Sequence, residues 1–462
     1  MIMLINTIIA ATNISAIPPV PYTEILRPQF HFTGKKDWLN DPNGLVYYKG
    51  TYHMFYQYNP TVVGWAYPSH WGHAVSKDLV HWTELPVALY PDSLGNRASG
   101  SAVVDWDNTS GLKTGKKDVI VAVFTAMGDR GQIQCLAYSN DGGQTLITYS
   151  GNPVIPEGQR DPKVFWYEPA KTWVMALFAT EKEVDGIRIY SSPNLKDWTA
   201  VSFLPGFYEC PDLFQLPLDG DIKNQKWIIH GANGEYYVGS FDGHTFTPET
   251  PKHRADYGEN YYAAQTWNDM PARDQRRIQI AWMANGQYPG MPFNQQMSFP
   301  CELTLKTLPD GIKMCRYPIK EIKSLYGKKH SWKNLVINPG DNTQSEINGD
   351  LFDISLVIDP KQASEIGFNI RGEVVKYTVN DHKLTYRKAS ADLKPVNGKI
   401  KLRILVDRTS VEIFGNDGEV SISTCYLPNA GNHKLELYSA GGPAKAVSLD
   451  IHELKSAWNL AE

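Results

Sequence analysis

Three carboxylates in this chain sit in settings suited to chemistry. Asp41 lies in Trp38-Leu39-Asn40-Asp41-Pro42-Asn43-Gly44, Asp161 in Arg160-Asp161-Pro162, and Glu209 in Phe207-Tyr208-Glu209-Cys210-Pro211. Each acid has a proline one or two residues on, and each has aromatic, amide or guanidinium neighbours. Asn, Asp, Pro and Gly in such order are turn-forming, so Asp41 is expected where the chain reverses, aimed into a pocket. The same residues also suit an Asx-turn in which the aspartate only caps its own backbone. Three acids converging on one pocket without histidines fit glycoside chemistry better than metal chemistry, because cleavage needs one ionised and one protonated carboxyl. The Arg160 guanidinium is expected to favour the charged form of Asp161. Apolar neighbours are expected to favour the neutral form of Glu209, making it the proton donor.

The elements that would bring these acids together are strands. Helical periodicity is almost absent, and apolar runs separated by Gly, Pro, Asn and Asp dominate. A module of apolar strand, serine, polar turn and second strand recurs, with its serines at 76, 139, 192 and 240. A period of roughly 50 residues built from strands fits a four-stranded propeller blade, and about five blades would span residues 25–320. Asp41, Asp161 and Glu209 then fall in separate blades that meet at a common axis. Residues 321–350 read as a linker or peripheral loops. From 351 to 462 short alternating strands predict a β-sandwich with an accessory role. The expected class is all-β, a five-bladed β-propeller followed by a C-terminal β-sandwich.

Composition narrows the function. The 462 residues carry 45 Lys and Arg against 49 Asp and Glu, with no basic block that would mark a nucleic-acid partner. Five dispersed cysteines argue against a disulfide framework and a zinc site, and no cofactor or metal is expected. No apolar run is long enough to span a membrane. Residues 1–24 read as an N-terminal arm or signal remnant, which favours an extracytoplasmic location over a cytoplasmic one. Oligomeric state is left open.

Several ordered motifs together resemble glycoside hydrolase family 32, the β-fructosidases that include invertases, inulinases and levanases. They are Trp38 to Gly44, Gln57, Trp65, Trp71 to Trp82, Ser99-Gly100-Ser101-Ala102-Val103, Arg160-Asp161-Pro162, Glu209-Cys210-Pro211, Tyr261 to Trp267 and Asp407 to Phe414. The resemblance implies that Asp41 is the nucleophile, Glu209 the general acid/base, and Asp161 a stabiliser of the transition state that holds fructosyl hydroxyls. It implies that Asn40, Gln57, Trp65, Ser101 and Arg160 line the pocket for the terminal fructose. Trp282, heading a long turn-rich segment, is either a rim contact or a core residue. Two displacements would retain configuration and place the Asp41 and Glu209 carboxyls about 5–5.5 Å apart. The expected substrates are fructan, fructo-oligosaccharide or sucrose, with fructose released from chain ends. Endo-acting fructanases, a sucrose-preferring invertase and a catalytically silent sugar-binding propeller are the alternatives. Leu39, Ala98 and Gln159 depart from the family pattern and bear on substrate preference.

Overall fold

The computed structural model describes residues 22–458 apart from 157, 272, 342–345 and 430. The expected arm over 1–24 therefore lies almost wholly outside the described residues. At its end, Tyr22 stacks on Trp458 with ring centroids 4.0 Å apart.

The serines of the repeat mark where blades turn. Ser76, Ser139 and Ser192 close the third strands of the first three blades, and Ser240 lies near the end of the fourth blade's third strand. The Ser76 and Ser139 hydroxyls accept backbone N–H bonds from the turns that follow. Five strands lie innermost, one per blade: Asp37–Tyr48, Asn96–Asp105, Arg160–Tyr167, Asp212–Leu218 and Tyr262–Thr266. The fourth and fifth blades join into one sheet through a parallel Leu218–Leu305 bridge.

Burial explains why blade strands are apolar on both faces. In Val119–Gly128, Ile120, Ala122 and Phe124 pack toward the first blade, while Val119, Val121 and Val123 pack toward the third. Period-2 alternation thus supplies two cores rather than a core and a wet face. Further cores lie between the third and fourth blades and between the fourth and fifth. Asn268 ties the centre together. Its side-chain amide donates to Ala102 O at 2.8 Å and Val164 O at 2.9 Å, while its N–H donates to Leu45 O.

The sandwich packs a six-stranded sheet against a five-stranded one. One expectation fails here: residues 321–350 are not only linker. Tyr326–Ile337 is a twelve-residue strand at the edge of the larger sheet, paired with Ala444–Leu454. An edge strand exposes most of its side chains and its free side to water, so its sequence is polar and reads as loop.

The two halves meet over buried charge. His31 Nδ1 lies 2.8 Å from Asp407 and Nε2 lies 2.8 Å from Glu412, with all three side chains fully buried. Asp407 also accepts the backbone N–H groups of Gln29, Phe30 and His31.

Candidate active site

Asp41 is not at a chain reversal. It lies within the long innermost strand of the first blade, where pairing with Thr51–Asn59 shifts register between Leu39 and Pro42 and again between Asn43 and Val46. A bulge accommodates a proline that cannot donate to the ladder, so the Asn-Asp-Pro-Asn-Gly pattern bends a strand instead of ending one. The carboxylate is 8% exposed. Its Oδ2 accepts from Gln57 Nε2 at 3.0 Å and Ser99 Oγ at 2.5 Å, and Asn40 Nδ2 lies 3.4 Å from Oδ1. Burial pushes the Asp41 carboxyl above the usual carboxylate range and the Ser99 hydrogen bond draws it back.

Asp161 opens the third blade's inner strand with φ at +65°. Glu209 and Cys210, just before the fourth blade's inner strand, have φ of +49° and +41°. Left-handed backbone is uncommon for such residues and concentrates where surrounding contacts hold a site in place. The Cys210 N–H donates to Asp161 Oδ2 at 3.2 Å. Its thiol lies 3.5 Å from Asp161 Oδ2 and 3.6 Å from Asp41 Oδ2. Burial holds that thiol neutral, well above its ordinary range, so it bridges the two carboxylates as a weak donor.

Glu209 keeps different company. Arg160 donates to its Oε1 from Nε at 3.0 Å and Nη2 at 2.8 Å, and the Tyr262 hydroxyl donates to Oε2 at 2.5 Å. The guanidinium lies over the Phe178 ring, 4.3 Å from its centroid. These contacts bear on two electrostatic expectations. Arg160 donates to Glu209 and to Gln132 Oε1 and stands 3.8 Å from Asp161, where its charge favours the ionised carboxyl as expected but is outweighed. Burial, then the charges of Asp41 and Glu209, raise Asp161 to about 7. The aromatics beside Glu209 in sequence do not enclose it, since Phe207 is buried between the third and fourth blades and Tyr208 is half exposed.

A chain of edge-to-face rings forms one wall. Tyr262 meets Trp282 at 6.2 Å, Trp282 meets Trp38 at 6.2 Å, and Trp38 meets Trp65 at 6.0 Å. Trp282 combines both expected settings, packing partly against the core while its ring stands in this wall, and its indole N–H bonds Gln295 Oε1. Trp65 is 59% exposed at the outer end. Asn294 Nδ2 donates to Val63 O at 2.7 Å and fastens the 283–296 segment to the loop that carries Trp65.

The structure therefore brings together Asp41, Asp161, Glu209, Asn40, Gln57 and Arg160, with Trp65 and Trp282 at the edge. Ser101 is a correction. It is fully buried, and its hydroxyl accepts the Val164 N–H at 2.9 Å, away from the acids. Ser99 is the serine on Asp41. In a regular strand the two serines would share a face, but a register shift between Arg97 and Gly100 breaks the alternation. Gly100 permits the fit, since a Cβ there would stand 2.2 Å from Val123 O. Ser99, Cys210 and Tyr262 are the site residues that sequence reading did not assign. The Tyr261-Tyr262 pair carried a signal, since adjacent residues of extended chain face opposite ways: Tyr261, just before the strand, bonds Gln279 in the interior, which leaves Tyr262 for the pocket.

The family model described as glycosyl hydrolases family 32 N-terminal domain matches residues 31–318, and that described as glycosyl hydrolases family 32 C terminal matches residues 321–453. The chain belongs to glycosyl hydrolases family 32. It is a glycosidase, a hydrolase of O-glycosyl bonds. This family 32 enzyme is 45% identical to a levanase from Bacillus subtilis, over 99% of its own length and 75% of that protein. It is 34% identical to an extracellular exo-inulinase from Aspergillus ficuum, over 95% of its length and 96% of the relative. The crystal structure of an exo-inulinase from Aspergillus awamori superposes on it with a TM-score of 0.86 and 32% identity, covering 95% of this chain and 100% of that one.

Proposed function

We propose that the chain is a retaining β-fructofuranosidase that releases fructose from the ends of fructan chains, with shorter fructosides as further substrates. Asp41 is the nucleophile, Glu209 the general acid/base, and Asp161 holds fructosyl hydroxyls. The observation that carries the assignment is the contrast between the two working acids. Asp41 is fixed deep in the pocket by Gln57 and Ser99, each aimed at the same oxygen. Glu209 stands nearer the mouth, its side chain 24% exposed, where a leaving group departs.

In the first step an Asp41 oxygen bonds to the anomeric carbon while the bond from that carbon to the leaving oxygen breaks, and the Glu209 proton passes to that oxygen. Water then attacks the same carbon, gives its proton to Glu209 and frees the Asp41 carboxylate. Asp161, near neutrality in its protonation, can accept or donate toward sugar hydroxyls. The aromatic wall from Tyr262 to Trp65 gives a furanose an apolar face to lie against.

End-wise release is favoured by the pinning of the 283–296 segment to the Trp65 loop, which walls the pocket on that side. Secretion is supported by the extracellular relative, and no helix among the described residues is long and apolar enough to cross a membrane.

Product analysis on levan and inulin is the test. Fructose alone from the earliest times supports the proposal, whereas a ladder of oligosaccharides overturns end-wise action. The chemistry is tested by Glu209→Gln, expected to lower turnover by about 10²–10⁴-fold. Asp41→Asn is expected to abolish trapping of a fructosyl-enzyme, and covalent labelling at another residue would move the nucleophile.

A further inference from the structure

The inner strands run away from the acids and end at a second opening. Ser99 and Asp161 lie near strand starts, and Val104 and Trp166 lie five residues further on, about 16 Å along an extended chain. There a cavity of about 300 Å³ is lined by Trp106, Trp166, Asp107, Gln215, Asp269 and Arg277, among others. Its volume is at the lower end of small-molecule sites. Lys163, bonded to Thr266 O and paired with Asp212, stands between this cavity and the acid pocket.

The lining is specific in its chemistry. Trp106 is 49% exposed, yet its indole N–H is fixed by Asp269 Oδ1 at 2.8 Å, so a flat apolar face is presented to the opening at a set angle. The other Asp269 oxygen accepts the Val104 N–H at 2.8 Å. The Arg277 guanidinium lies over the Phe214 ring and donates from Nη1 to Trp267 O; among the described residues its remaining N–H groups have no hydrogen-bond partner, which leaves donors free beside the cavity. Asp107 and Gln215 are exposed at the mouth. An anion would meet the carboxylates and a cation would meet Arg277. A neutral ring with vicinal hydroxyls satisfies both, accepting from the guanidinium and donating to the acids while its apolar face stacks on indole.

We propose that this far mouth of the propeller axis is a second, noncatalytic binding site for a neutral sugar ring. That the sugar is a fructosyl unit of the polymer rests on the function proposed above. Such a site would hold one part of a fructan while another part enters the acid pocket, raising its effective concentration there.

The test uses the full chain with Glu209→Gln, titrated with a short inulin oligosaccharide and followed by calorimetry and by indole N–H resonances. Two classes of site are expected. Trp106→Ala should weaken one class about fivefold, and Gln215→Trp, at an exposed position, should block it by filling the mouth. In the otherwise native enzyme, either substitution should leave sucrose hydrolysis unchanged within about twofold while KM for polymeric fructan rises about fivefold. A single class in the parent, or two unaltered classes in both variants, overturns the site. Failure of the proposed function shows separately, as no fructose released from levan or inulin by the native chain. In that event Trp106-dependent binding of other neutral sugars, with glucose and arabinose as probes, decides the second site by itself.

Discussion

Arg160 and Glu209, from adjacent blades, are joined by two hydrogen bonds that converge on a single oxygen, Nε at 3.0 Å and Nη2 at 2.8 Å to Oε1. The other oxygen is left to the Tyr262 hydroxyl. The carboxyl proposed to trade protons with substrate and water therefore has one oxygen facing the guanidinium and one held by a neutral donor. Tyr262→Phe should free the second oxygen and let the carboxyl rotate. A hydrogen bond to a charged group contributes about 1.5–3 kcal/mol, so kcat/KM should fall about 10–100-fold with little change in melting temperature. Steady-state kinetics on sucrose measures this, and a Tyr262→Phe enzyme at native rate would remove the hydroxyl from the mechanism.

Ser99 and Ser101 should separate cleanly. Ser99→Ala removes the 2.5 Å partner of Asp41 and should lower kcat about tenfold in a normally folded enzyme. Ser101→Ala orphans the buried Val164 N–H, so it should cost about 1–3 kcal/mol of stability and leave the kinetics of the folded enzyme unchanged. Paired denaturation and kinetic measurements decide it, and the reverse pattern would return Ser101 to the pocket.

Asp161 makes stability depend on pH. Its carboxyl rises from an ordinary value of 3.8 to about 7 in the folded protein. Between those values the folded state binds the proton and the unfolded state does not, so its contribution to stability is full below pH 3.8 and is lost as pH rises through about 7. Asp161→Asn removes that loss. The variant should melt about 2–5 °C above the native enzyme at pH 7.5, with the gap closing toward pH 4, while activity collapses. Calorimetry across that range would refute the cluster's repulsion if the gap were independent of pH.

His31 acts with the same sign at higher pH. Burial lowers its affinity for a proton, but hydrogen bonds to Asp407 and Glu412 outweigh burial and lift it from 6.5 to about 9. Its stabilising contribution is complete below pH 6.5 and disappears as pH rises through about 9. His31→Phe leaves two buried carboxylates facing each other and should cost about 3–5 kcal/mol at pH 6. The stability curve of the variant should be flatter from pH 6.5 to 9. A variant as steep as the native protein there would assign the pH response to another group.

The three acids, Arg160 beside Asp161, the blade period and the sandwich strands are legible in the sequence because each rests on local pattern. Turn residues punctuate strands, and period-2 burial makes strand interiors apolar whatever their partners. Even the misreadings have local causes. Tyr326–Ile337 looks like a loop because an edge strand is polar, and Asp41 looks like a turn because a bulge uses turn residues. What the tertiary structure alone decided is which groups meet across blades. It put Ser99 rather than Ser101 on Asp41, turned two Arg160 donors onto one Glu209 oxygen, and set the Cys210 thiol between two carboxylates. It also raised the proton affinity of Asp161, because burial and the neighbouring acids outweigh the pull of Arg160. Hydrogen-bond partnership and proton affinity depend on distances of a few ångströms and on exclusion of water, and packing fixes both between residues far apart in the chain.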